Sequence, residues 1–320
     1  MTDTDLGHRI QVIPPSLPTH DGAEIKLFLL GGINVVAAKR SDGIRFVDVS
    51  QHDFTIQPMV WTRLRLLVVH SSGTAQQVSF RGVDPQLPEA CEVRPMAFDG
   101  TLLSSLPGDP SQDPFYHTSG AGRIDFAVRC MADFYLTVFG ADVVISVTHT
   151  STVGGSRELT AWQPVRPAYL RDLMDEEVPE ENQHTVWASM SALTWDGVAY
   201  KWPASPSATC SPNRNPYRCG QVYEMTISHS DAHPIHLHVF PMQIIGECEG
   251  YLTGEWYDTI TSDSFCIVRF NAYHIGGAVV IHCHYLMHED MGAMSYLQLC
   301  DGPDLGPLVD PPLEQTSCHL

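Results

Sequence analysis

The sequence predicts an all-β chain of two β-sandwich domains. Short apolar runs separated by turn residues dominate it, among them Lys26-Leu27-Phe28-Leu29-Leu30, Arg63-Leu64-Arg65-Leu66-Leu67-Val68-Val69, Phe134-Tyr135-Leu136-Thr137-Val138-Phe139 and Asp142-Val143-Val144-Ile145-Ser146-Val147. Long stretches of helical period are scarce. One segment, 151–183, interrupts the pattern with Val153-Gly154-Gly155, Pro164, Pro167 and an acidic run over 172–181. At 320 residues the chain is long enough for two domains of ordinary size. The expected organisation is a first domain over 24–150, a connection over 151–183 with one helical turn near 167–174, a second domain over 184–305 and a Pro-rich surface tail over 306–320.

The chemistry is concentrated in Ile281-His282-Cys283-His284-Tyr285-Leu286-Met287-His288, which follows the apolar run Ala278-Val279-Val280. On a strand, successive side chains point to opposite faces. Cys283 is therefore predicted to face one way and His282 and His284 the other, so that one strand serves two metal sites back to back. His288 follows where the chain can curl back to the Cys283 side. A second cluster, His233-Pro234-Ile235-His236-Leu237-His238, also borders an apolar strand. His236 and His238 share a face by the period of two, and the proline offsets His233 from them. Thiolate plus two imidazoles is the donor set of a blue-copper electron-transfer centre, which His233, Cys283 and His288 can supply. His236, His238, His282 and His284 form the other group. A lone histidine or cysteine is usually packing, but seven such residues in two linked motifs are not explained that way. Zinc is the weaker alternative, because structural zinc sites favour CxxC pairs and none is present.

At these residues the chain resembles the multicopper oxidases, the laccase, bilirubin-oxidase and cuprous-oxidase family. The match is carried by HPIHLH (233–238) and HCHYLMHEDMGAM (282–294), with Gly220-Gln221-Val222-Tyr223-Glu224 and Trp256-Tyr257-Asp258-Thr259-Ile260 in the family's order. It extends more weakly to Trp61-Thr62-Arg63-Leu64-Arg65-Leu66-Leu67, Phe98-Asp99-Gly100 and Gly120-Ala121-Gly122-Arg123-Ile124-Asp125 in the first half. The resemblance implies two cupredoxin-like Greek-key sandwiches, corresponding to the family's second and third domains with the first absent. It implies that His233, Cys283 and His288 hold a mononuclear type 1 copper, that His236 binds type 2 copper, and that His238, His282 and His284 bind the type 3 pair. It also implies one-electron oxidation of phenolic, metal-ion or similar donors, with dioxygen as the oxidant. Glu289 matches a carboxylate that relatives use to deliver protons; the alternative is an ordinary solvated glutamate.

Two departures from the family stand out. The axial position, five residues after the last histidine, is Ala293, with Met291 and Met294 nearby. Met294 is the preferred candidate for that ligand, and a missing thioether should raise the reduction potential. No two of the remaining histidines form an HxH pair, so the sequence encodes only half of a trinuclear site. Full oxidase activity for this chain alone is accordingly open, and a cupredoxin-type binding or electron-transfer protein, or a truncated oxidase, is the alternative.

Composition sets the outer bounds. With 43% hydrophobic and 17% charged residues, the chain has ample core material. A formal charge of −19 argues against nucleic acid or an anionic membrane as partner, and no apolar run reaches membrane-spanning length. The N-terminus, Met1-Thr2-Asp3-Thr4-Asp5, lacks the features of a signal peptide. Nine cysteines less Cys283 leave an even number, which points to disulfides and a secreted or periplasmic-type oxidising compartment. Cys210–Cys219 is the first expected pair. Cysteine usage and the bare N-terminus together lead to the expectation that a segment precedes Met1.

Overall fold

The computed structural model describes residues 24–30, 35–40, 43–48, 54–69, 76–109, 115–119, 122–138, 141–147, 159, 161, 163–199, 216–228, 233–261, 265–273 and 277–300. These residues divide into two compact units at Pro164/Val165. Strands dominate both, as the turn-punctuated apolar runs predict.

The first unit contains β1 (Glu24–Leu30), β2 (Val35–Arg40), β3 (Gly43–Asp48), β4 (Phe54–Ile56), β5 (Thr62–Val69) and β6 (Gln76–Gly82). It continues with β7 (Cys91–Phe98), β8 (Thr101–Leu102), β9 (Phe115–Thr118), β10 (Arg123–Cys130), β11 (Phe134–Val138) and β12 (Ala141–Val147). One sheet has the order β3-β2-β1-β5-β10-β7-β8 and the other β4-β12-β11-β6-β9. Inward residues such as Leu64, Leu66, Phe134 and Leu136 alternate with half-buried ones and, with Phe126, fill the space between the sheets. A cross-strand disulfide joins Cys91 and Cys130.

The first-half motifs have structural roles. Asp99 and Gly100 are the two loop residues of the β7–β8 hairpin, both with positive φ, as a type I′ turn requires. Arg123 donates through its guanidinium to the Asp99 carbonyl, and its backbone N–H donates to the Asp99 carboxylate. Asp125 is paired with Arg63 and Arg65 on the neighbouring β5.

The second unit contains β13 (Gln183–Ser189), β14 (Ala192–Trp195), β15 (Pro216–Arg218), β16 (Val222–Ser228), β17 (Ile235–Leu237) and β18 (Met242–Ile244). β19 (Trp256–Tyr257), β20 (Thr259–Ile260), β21 (Phe265–Asn271), β22 (Gly277–Cys283), the short helix α1 (Leu286–Met291) and β23 (Met294–Cys300) complete it. Its sheets have the orders β14-β13-β16-β21-β18-β19 and β15-β23-β22-β17-β20. From β15 to β18, successive strands alternate between the sheets, as in Greek-key sandwiches.

The segment before β13 is pinned to this unit. A 3-10 turn spans Ala168–Leu170, and Leu170 and Leu173 pack on Trp256. The buried Gln243 side chain accepts from the Leu173 N–H at 2.7 Å and donates to Asp172 and to the Gly254 carbonyl, each at 2.8 Å. Arg269 donates to the carbonyls of Leu173 and Met174. Burying the Gln243 amide is tolerated because its donors and acceptor are satisfied.

Cys248 and Cys266 form a second disulfide, and Cys219 and Cys300 are each disulfide-bonded to cysteines outside the described residues. Cys210, needed for the expected pairing with Cys219, lies outside the described residues, as does the 306–320 tail.

Candidate metal centre

Two neighbouring strands supply the site. β17 runs antiparallel to β22, with Ile235 opposite Cys283 and His236 opposite His282. Directly opposed residues share a face. Ile235 and Cys283 are both fully buried and face the core, whereas His236 and His282 project from the other face. The period-two alternation predicted for 282–284 therefore yields two donor groups, back to back.

The inward group is His233, Cys283 and His288. The Cys283 Sγ lies 3.7 Å from His233 Nδ1 and 3.8 Å from His288 Nδ1, and the two nitrogens are 3.0 Å apart. His288 is carried by α1, a helix that Gly292 ends in the left-handed conformation at φ 108°. The Tyr285 ring rests 4.1 Å from the His288 ring and backs it from one side. Burial pushes the Cys283 thiol up to about 11, opposed by the Tyr285 backbone N–H, and it lowers the His288 imidazole. A thiol of that kind stays protonated at neutral pH unless a cation takes its place.

The axial position needs a correction. Met294 pairs with His282 across the β22–β23 ladder, which puts it on the His282 face, away from the Cys283 sulfur. The Cys283 N–H instead donates to the Ala293 carbonyl at 2.9 Å, and Ala293 is fully buried. A period of two cannot place both Met294 and Ala293 beside the sulfur, and the register selects Ala293.

The outward group is His236, His238 and His282. His238 Nε2 and His282 Nε2 are 3.1 Å apart. His284 joins them, its ring 5.3 Å from that of His236 and 5.4 Å from that of His282. His236 donates through Nδ1 to the Asp258 carbonyl at 2.6 Å, with the Thr259 hydroxyl at 3.2 Å. Thr259 stands opposite His236 on β20. His282 donates through Nδ1 to the Cys283 carbonyl at 3.0 Å, and a Glu289 carboxylate oxygen lies 3.4 Å from the same nitrogen. His238 leaves β17 through a strained turn: the Phe240 N–H bonds the His238 carbonyl while Val239 holds φ 67°.

Burial lowers all three imidazoles, His282 to about 4. For His282 the Cys283 carbonyl and Glu289 oppose the effect without cancelling it. All three are thus neutral at neutral pH, the state in which imidazole binds metal.

Thr259, Tyr285 and the Asp258 carbonyl were not legible as site groups in the sequence. A carbonyl leaves no signature in residue type, and Thr259 becomes a neighbour only through the pairing of β17 with β20.

The donors suit a metal. A trigonal centre with bonds of about 2.0–2.3 Å needs its donors roughly 3.5–3.8 Å apart, close to the two sulfur–nitrogen distances of the inward group. The orienting bonds on Nδ1 of His236 and His282 leave Nε2 free as the donor.

The family model described as multicopper oxidase matches residues 179–299, a span that contains every one of these donors. Over that span the chain is similar to the multicopper oxidases. Solved multicopper oxidases share its fold at low sequence identity. A laccase from Pediococcus acidilactici aligns at 15% identity with a TM-score of 0.55, over 89% of this chain and 62% of its own. A multi-copper oxidase from Pseudomonas thermotolerans aligns at 15% and 0.58, over 87% of this chain and 68% of its own. One from Campylobacter jejuni, described as a metallo-oxidase, aligns at 13% and 0.52, over 86% and 63%. The chain thus spans about three-fifths of the length of the laccase it resembles. No curated protein sequence matches it. Among its described residues no helix is long and apolar enough to cross a membrane.

Proposed function

We propose that this chain is a copper-binding oxidoreductase that takes single electrons from a small phenolic or metal-ion donor. The observation that carries this reading is the convergence of His233 Nδ1, Cys283 Sγ and His288 Nδ1 at 3.0–3.8 Å, with Cys283 and His288 buried and His233 half-buried. Copper bound there supplies one-electron chemistry, since soft thiolate with imidazole serves both of its oxidation states. The protein's share is to hold both imidazoles by Nδ1, to keep water from the sulfur and to deprotonate the thiol when metal enters. The Cys283 backbone links this group by one residue to His282 and His284 of the outward group. In the family those histidines belong to the oxygen-reducing cluster; here His236, His238, His282 and His284 are the contribution of this chain. Glu289, 3.4 Å from His282 Nδ1, is positioned to hold a proton beside that cluster. The reading that stops at copper binding and electron transfer is favoured by one observation, the lack of a further HxH pair in the sequence.

Loading the chain with copper(II) tests the assignment. An intense visible absorption from the thiolate is expected, and its absence would sink the mononuclear site. Oxygen uptake with a phenolic or cuprous donor separates the two readings, because turnover by the isolated chain is expected only of a complete oxidase.

A further inference from the structure

The second unit's other sheet, β14-β13-β16-β21-β18-β19, has an outer face that is covered at one end and open at the other. At the covered end Glu224, Arg269 and Gln243 share a row, and there Leu173 and Met174 dock through Gln243 and Arg269. Two residues along the strands, Thr185, Thr226 and Ile267 are aligned, and two further again Trp187, Ser228 and Phe265. Aligned residues share a face. Val186, Ile227 and Cys266 alternate with them and are buried, so the two rows point outward. Trp187 is 44% and Phe265 54% exposed. Single exposed apolar residues are ordinary, but two large aromatics on one row of a sheet mark a contact surface.

Charge and area narrow what that surface meets. None of the six aligned positions is charged, in a chain whose formal charge is −19. An ionic partner therefore finds no counter-charge there. Two aromatics at half exposure present roughly 200 Å² between them. That is about a quarter of the roughly 800 Å² that each side of a stable protein complex buries. Thr185, Thr226 and Ser228 add hydroxyl groups, each able to donate one hydrogen bond and accept two. The face is too small for a protein partner and too polar for a lipid.

Spacing narrows it again. Trp187 and Phe265 lie on β13 and β21, with β16 between them. Neighbouring strands are about 4.8 Å apart, so the two aromatics rise from positions roughly 10 Å apart. One phenolic ring cannot touch both. A chain of sugar rings can, because each pyranose has a C–H face that packs on an aromatic ring and a rim of hydroxyls. Those hydroxyls match the Ser228 and Thr226 side chains that lie between and beside the rings.

We propose that this face binds a neutral, extended glycan, with Trp187 and Phe265 stacking on sugar rings and Ser228 and Thr226 bonding the hydroxyls between them. None of the copper donors named above lies on this sheet, so the inference stands apart from the copper reading.

The test runs the full chain in native gels containing hydroxyethyl cellulose, xylan or laminarin, and titrates it with the matching oligosaccharide, such as cellohexaose, followed by tryptophan fluorescence. Retardation by at least one polymer is expected, with a fluorescence change from Trp187. Trp187→Ala and Phe265→Ala should each weaken binding by about 10-fold. Met131→Ala, which removes a side chain 48% exposed in the first unit, should bind as the unmodified chain does. Circular dichroism checks that the variants fold; if Trp187→Ala does not, Trp187→Phe and Phe265→Ala carry the test, each with weakened binding. No retardation by any of the three polymers, or affinity unchanged in both aromatic variants, would overturn the proposal. So would self-association of the unmodified chain that both variants lose, which would make the face an interface between copies. A fluorescence response to a simple phenol such as guaiacol, without one to the oligosaccharide, would assign the face to an aromatic donor and overturn it too.

Discussion

The two units are built on one plan, yet among the described residues only the second gathers groups of side chains that could hold a metal. In the first, the sheet β2-β1-β5-β10-β7-β8 matches β14-β13-β16-β21-β18-β19 of the second, strand for strand and with the same parallel pairing of the first member (β1 with β5, β13 with β16). The other sheets also correspond, β4-β12-β11-β6-β9 with β15-β23-β22-β17-β20. The histidine-bearing pair β17–β22 is therefore the counterpart of β6–β11. There the outward side carries Arg81 opposite Tyr135, its guanidinium 4.1 Å above the ring and paired with Asp142, where the second unit has His236 opposite His282. The inward side carries Phe134 and Leu136. The connections differ as well: β11 and β12 are joined by residues 139–140, whereas β22 and β23 are separated by 284–293, including α1 and His288. The fold supplies a strand pair with two usable faces, and a metal centre needs both the donor residues and the longer connection that brings His288 back.

The largest expected effect comes from erasing that distinction at one atom. Cys283→Ser should abolish the thiolate absorption of the copper-loaded chain completely, because no other described thiol is free. Far-ultraviolet circular dichroism should stay unchanged, since the sheet plan works in the first unit without a ligand there. A variant that loses its strands would show that the cysteine is structural and would break the comparison.

A second contrast is in proton affinity. Burial puts His282 at about 4 in the folded chain, below the ordinary imidazole value of 6.5, and lowers His236, His238 and His288 as well. Between those two values the unfolded chain binds more protons than the folded one. The stability of the metal-free chain is then fully present above pH 6.5 and falls as the pH drops toward 4, by up to about 3 kcal/mol for His282 alone. Denaturant melts of the metal-free chain at pH 7, 5.5 and 4.5 measure this. A flat profile would place the four imidazoles in water.

How much of this could be read from sequence follows from what determines each part. The alternation around Cys283 is a property of any strand, so the split of His282 and Cys283 between two faces was legible from 281–284 alone. The β-rich character was legible from the apolar runs. Met294 was misassigned because its side depends on the β22–β23 register, which only the pairing of two chain segments fixes. The partners of His236 were invisible for the same reason, since Thr259 arrives by a cross-strand pairing and Asp258 contributes only its carbonyl. The anchoring of 163–182 through Gln243 and Arg269 was also hidden, because a Pro-rich acidic run looks the same whether free or docked.

Ala293 gives a smaller prediction, within the second unit. With an alanine on the Cys283 side, a copper bound by His233, Cys283 and His288 would have no thioether at the expected position, which would favour copper(I) and a high potential. Ala293→Met should lower the potential by roughly 60 mV or more, a tenfold change in the oxidised-to-reduced ratio. Met294→Leu, on the opposite face, should leave it unchanged. Redox titration followed by visible absorption distinguishes the two, and a larger shift in Met294→Leu would mean that the register reading is wrong.

The smallest effect concerns the turn that directs His238. Val239 is a β-branched residue at φ 67°, where only residues without a Cβ are unstrained, and it is 57% exposed, so its side chain adds little packing. Val239→Gly should therefore stabilise the chain by about 1 kcal/mol, the strain relieved exceeding the backbone entropy that glycine loses on folding. Val239→Ala keeps a Cβ at the same φ and should change little. Denaturant midpoints compare the three. The thiolate absorption of the inward group should be identical in all of them, whereas copper affinity at the outward histidines should fall in Val239→Gly, because a relaxed turn no longer holds His238 toward His282. Stability that rises while copper affinity stays fixed would show that the turn is strained for some purpose other than directing His238.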